Sequence, residues 1–185
     1  MTRYLLLVCL ALSAQDAEVG GVRIDDAAQV GGAKVVLNGA GVRKVLFFNA
    51  YAMGLYLPKK TGTPSEAIAL EGPKRISIHM LRDIGAGRFT DALNDGIKQN
   101  HSEADLKALD ARVQALTATM AAIGEAKKGM TITLDWSGAA TVIAIDGKPA
   151  GKPIEGADFY RALLRIWLGD KPVQDDLKKA LLGGG

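Results

Sequence analysis

The chain has 185 residues, 48% hydrophobic and 23% charged, a balance that fits one folded domain and excludes a disordered chain. Its formal charge is only +3, and Lys and Arg never form a run longer than two, which excludes a basic stripe for nucleic acid. One cysteine, Cys9, and two histidines far apart in sequence, His79 and His101, argue against internal disulfides, thiolate chemistry and a zinc site, so no metal is expected.

Arg3 and the apolar run from Leu5 to Leu12, followed by small residues at Ser13, Ala14 and Ala17, have the layout of a secretory signal peptide. The expected division is a signal over residues 1–17 and a single domain over residues 18–185. No stable membrane span is expected once the signal is removed, because its apolar run is too short to cross a bilayer.

Beyond it, Val19 to Ile24 and Ala33 to Leu37 read as short strands, and Asn38-Gly39-Ala40-Gly41 as a flexible turn. Val45 to Leu57 is apolar on both alternating faces, which predicts one central strand covered on both sides. Lys74 to Leu81 predicts another, with Ile76, Ile78 and Met80 on one face and Ser77 and His79 on the other.

Phe89, Leu93 and Ile97 recur every four residues and predict a helix from about Arg88 to Gln99. Ser102 stands as the cap of a second helix, with Asp105 at the capping-box position and an apolar series from Leu106 to Ile123. Met130 to Trp136 and Thr141 to Ile145 alternate as strands, and Asp146-Gly147 predicts a hairpin turn. Asp158 to Leu168 predicts a third helix, stopped by Gly169, and Gln174 to Leu182 a short last one. Strands, helices, strands, helices in that order predict an α+β domain with a mainly antiparallel sheet.

Four segments in series carry a family resemblance: Leu37–Arg43 (LNGAGVR), Tyr51–Leu57 (YAMGLYL), Met80–Ile84 (MLRDI) and Ala162–Lys178 (ALLRIWLGDKPVQDDLK). In these the chain resembles the chalcone isomerase family, and in particular its bacterial chalcone-isomerase-like branch. The resemblance implies an open-faced β-sandwich with helices packed on a long sheet and a ligand cleft between them. No cofactor is expected, and export points to the periplasm if the source is Gram-negative, an origin that the bacterial-type resemblance favours.

Arg43 matches the arginine that holds the phenolate in the plant enzymes. The polar residues around it in those enzymes correspond here to Tyr51, Phe89, Ala92, Gly96 and Ile166, so only the arginine is retained. Loss of those donors removes groups that stabilise developing charge, each worth about 3 kcal/mol of barrier. Plant fatty-acid-binding members of the family resemble this chain at Arg43 and Tyr51, where an arginine and a tyrosine hold a carboxylate. The resemblance therefore implies a binding site for a small apolar carboxylate, with Arg43 and Tyr51 at the head and Phe89, Ala92, Gly96 and Ile166 around the tail, and without catalysis. The alternative is an isomerase of chalcone type with an altered active site.

One geometric condition follows. On a straight strand, eight residues separate Arg43 from Tyr51 by roughly 26 Å. A shared site needs a tight turn near Lys44.

Overall fold

Alternating apolar side chains build a curved antiparallel sheet whose two faces meet different partners. The computed structural model describes residues 17–184. A small hairpin, β1 (Ala17–Val19) and β2 (Val22–Ile24), turns through Gly20 and Gly21, both at positive φ. The main sheet is a meander of β3 (Ala27–Val30), β4 (Ala33–Val45), β5 (Phe48–Leu57), β6 (Lys74–Met80), β7 (Thr131–Trp136) and β8 (Ala140–Ile145). Two short strands, β9 (Lys148–Pro149) and β10 (Ile154–Glu155), both pair with β8. Every pairing is antiparallel.

The helices are α1 (Pro64–Ala69), α2 (Ala86–Gln99), α3 (Glu103–Ile123), α4 (Ala157–Leu168) and α5 (Asp175–Leu181). Ser102 and Asp105 close a reciprocal capping box at the start of α3, as the sequence predicts. Helix α4 buries eight of its twelve side chains, because it lies in the core between the sheet and the other helices. Met53, Leu55, Ile76, Ile78 and Leu134 from the sheet meet Phe159, Leu163, Ile166 and Trp167 of α4 in one core. On the opposite face a smaller cluster of Ile24, Val30, Val35 and Tyr56 lies beneath the β1–β2 hairpin.

Three sequence readings are corrected. Val19 to Ile24 is not one strand, because the chain reverses at Gly20-Gly21 between β1 and β2. The Asn38-Gly39-Ala40-Gly41 stretch is not a turn; it is the middle of the thirteen-residue strand β4. Nor is Val45 to Leu57 a single strand. The chain reverses at Leu46-Phe47, with Val45 paired to Phe48, and β5 begins only at Phe48. Apolar residues occupy both turn positions, so hydropathy alone reads straight through the reversal. Helix α1 and strands β3, β9 and β10, each six residues or fewer, are too short for periodicity to reveal. The expected signal peptide falls on residues 1–17, of which 1–16 lie outside the described residues; Ala17 begins β1.

Candidate functional site

The reversal at Leu46-Phe47 brings Arg43 directly opposite Tyr51 on the neighbouring strand. Side chains so paired stand about 5 Å apart at Cβ, in place of the 26 Å of a straight strand. The pairing steps by one on β4 and by two on β5 between Arg43 and Lys44, leaving Ala50 as a bulge. A bulge turns two consecutive side chains toward one side of the sheet, and Ala50 and Tyr51 both line the same cleft.

A second irregularity prepares the position of Arg43. Asn38 is the extra residue between Leu37 and Gly39 on β4. Its buried side chain donates to the Leu181 carbonyl at 2.7 Å and accepts from the Thr61 amide at 2.7 Å. Gly39 and Gly41 then let α5 lie directly on the strand: a Cβ at Gly39 would come within 2.1 Å of the Ala180 carbonyl, and one at Gly41 within 2.9 Å of Leu177. The next alternate position is Arg43, beside Gln174 at the start of α5. The Gln174 side chain accepts from the Lys44 amide at 2.8 Å and donates to the Val42 carbonyl at 3.2 Å. Its oxygen also lies 3.4 Å from the Arg43 guanidinium, which donates in addition to the Lys44 carbonyl. No carboxylate forms an ion pair with Arg43 among the described residues.

Tyr51 is 8% exposed. Its hydroxyl accepts from the indole N–H of Trp167 at 3.0 Å. Burial raises the phenol pKa above its ordinary value, against smaller downward pulls from the Trp167 bond and the Arg43 charge. The group is therefore a neutral phenol at physiological pH, which keeps its own O–H as a donor beside the bond it accepts.

The cleft has a volume of about 800 Å³, within the range of small-molecule sites. Arg43, Arg82 and Arg88 bring three guanidiniums to it, and its walls include Val45, Leu46, Phe48, Ala50, Ile84, Phe89 and Ala92. The one acid on the lining, Asp83, accepts from the Lys128 amide at 2.7 Å. A net positive rim over an apolar wall favours a guest with an anionic head and an apolar body.

Of the six residues singled out in the sequence, Arg43, Tyr51, Phe89 and Ala92 line this cleft, and Gly96 and Ile166 do not. A Cβ on Gly96 would sit 2.7 Å from Ile166 Cγ2, so these two residues are the contact of α2 with α4. The space expected there for a ligand tail is filled by the isoleucine. Sequence reading missed Trp167, Gln174, Arg82 and Arg88 as neighbours of the site. The available signal, for Gln174 alone, was the Gly39, Gly41, Arg43 alternation, a bare strip where another element can lie close to the strand.

A larger depression of about 980 Å³ lies between α1, the end of α2 and α4, lined mostly by polar groups such as Asn100, His101, Arg161, Arg165 and Lys171. It lacks a continuous apolar wall. His79 lies on the opposite face of the sheet, 3.0 Å from Ser77 Oγ and 3.1 Å from Thr131 Oγ1, and does not reach the cleft. Among the described residues there is no cluster of His, Cys, Asp and Glu able to hold a metal ion, and no helix long and apolar enough to cross a membrane.

A family model described as chalcone isomerase-like matches residues 16–183. Among solved structures, the fold is similar to that of a fatty-acid binding protein from Arabidopsis thaliana. The TM-score is 0.67 at 15% sequence identity, over 88% of this chain and 92% of the other. A search of curated protein sequences finds no match.

Proposed function

From the premise that the chain belongs to the chalcone isomerase-like family, we propose that it binds a small apolar carboxylate such as a fatty acid and does not transform it. The observation that carries this reading is the pairing of Arg43 with Tyr51 at the head of an apolar cleft. A guanidinium grips a carboxylate through two parallel N–H bonds, and the Tyr51 proton supplies a third donor. Phe48, Ile84, Phe89 and Ala92 offer the apolar surface for the first part of a chain. The structurally similar plant protein is a fatty-acid binding protein, which supports the same class of guest. The signal-like N-terminus supports export, and for a Gram-negative source a periplasmic carrier or scavenger.

Native mass spectrometry of the purified protein, followed by titration with a long-chain fatty acid, tests the reading. A co-purifying acid is expected, and Arg43→Gln should weaken binding about ten-fold to a hundred-fold, the usual worth of a hydrogen bond to a charged group. Equal affinity in the variant, or conversion of a chalcone to a flavanone by the wild type, would overturn it. For export, the N-terminus of the secreted protein should begin near residue 18; an intact residue 1 would count against it.

A further inference from the structure

The exposed large apolar side chains among the described residues are four, and they are consecutive: Val45, Leu46, Phe47 and Phe48. They form the tip of the β4–β5 hairpin, where Leu46 is 83% and Phe47 101% exposed. Leu46 has φ of +52°, a conformation that turns ordinarily give to glycine or asparagine. A soluble hairpin gains nothing in water from leucine and phenylalanine at these two positions. Their presence therefore points to a partner that accepts apolar groups.

The charges around the tip indicate which partner. Arg43 and Lys44 precede it on β4, and Arg82 stacks on the Phe48 ring with its guanidinium carbon 4.0 Å from the centroid. Arg88 stands on the rim of the adjoining cleft, where the sole acid is Asp83. An apolar tip collared by cations complements a bilayer with anionic headgroups, the chains taking Leu46 and Phe47 and the headgroups meeting the arginines. A second protein is disfavoured by size, since a stable interface needs roughly 800 Å² per partner and a two-residue tip supplies far less.

We propose that the β4–β5 hairpin tip docks this protein onto an anionic lipid surface. Docking stands independently of the cleft's ligand. That Val45, Leu46 and Phe48 also line the cleft gives docking a consequence that does rest on the fatty-acid reading: an apolar guest passes between bilayer and cleft along a continuous apolar path.

The test is co-sedimentation of the purified protein with vesicles of phosphatidylcholine, alone or mixed with phosphatidylglycerol, without added fatty acid. The Leu46→Gly, Phe47→Ser double variant has the same N-terminus as the wild type. It also places glycine at the positive-φ position, so its melting temperature should equal or exceed that of the wild type. Wild type should bind the mixed vesicles, more weakly at high salt, and the variant should lose about a hundred-fold in partitioning. No binding by wild type, equal binding by the two proteins, or equal binding to neutral vesicles would each overturn the proposal. So would a dimer that forms only with the native tip and ignores vesicles, which would make a second copy the partner. Because no fatty acid is added and binding is read on vesicles, failure here leaves the carboxylate affinity to be judged by its own titration.

Discussion

The indole N–H of Trp167 on α4 donates to the Tyr51 hydroxyl on β5 at 3.0 Å, in a setting where Trp167 is 1% exposed. This bond joins the helical layer to the sheet at the head of the cleft. It also fixes the direction of the phenol, because a hydroxyl that accepts from the indole must send its own proton elsewhere. Tyr51→Phe should lower affinity for a long-chain carboxylate about ten-fold and strand a buried indole donor, at about 1–2 kcal/mol of folding stability. Calorimetric titration and urea unfolding read the two effects separately. If neither changes, the hydroxyl is a bystander.

Gly39 lets α5 lie on β4, and Gln174 at the head of α5 braces the strand beside Arg43. Gly39→Ala would drive a methyl into the Ala180 carbonyl, a backbone atom that moves only if the helix moves. A loss of about 3 kcal/mol is expected from this overpacking, measured by chemical denaturation. A variant as stable as wild type would show that α5 is free to shift outward.

Lys74 is 4% exposed and donates to the Ile68 carbonyl at 3.2 Å, with no carboxylate within ion-pair distance among the described residues. Burial first, and the Arg161 charge second, lower its pKa from 10.5 to about 8. The folded form thus sheds this proton before the unfolded form does. Below about pH 8 both states carry the charge and the burial penalty is complete; from about 8 to 10.5 the penalty is relieved. Lys74→Met should therefore raise stability by about 1–2 kcal/mol at neutral pH, and the advantage should shrink as pH climbs through that window. A gap that stays constant with pH would remove the buried charge as its cause.

His79 is held below its ordinary pKa of 6.5, chiefly by burial, with a smaller upward pull from Asp25. The unfolded chain accordingly takes up this proton first as pH falls below about 6.5, and stability declines. His79→Gln keeps a polar group against Ser77 and Thr131 and should flatten that part of the acid limb. Denaturation midpoints between neutral and mildly acidic pH check it. An unchanged slope would mean that other groups set the acid limb.

The regular helices were legible in the sequence for a local reason. Phe89, Leu93 and Ile97 report the buried face of α2, and Ser102 with Asp105 report the start of α3, because each signal lies within a few residues of what it specifies. The correspondence with the family's site residues located Arg43, Tyr51, Phe89 and Ala92, all of which line the cleft. Gly96 and Ile166 came from the same correspondence, and packing placed them against each other instead. Whether a glycine opens a pocket or admits a neighbouring side chain depends on the neighbour, which sequence spacing does not name.

By itself the sequence determined the helical faces, the α+β class and the placing of an arginine and a tyrosine among apolar residues. Only the tertiary structure decided that these two meet. Their encounter depends on a reversal at Leu46-Phe47 and a bulge at Ala50, and on the packing of α4 and α5 against the strands. A turn made of apolar residues leaves no mark in hydropathy. What holds the reversal is the pairing of its two strands and the helices packed against those strands, including bonds between residues more than a hundred positions apart.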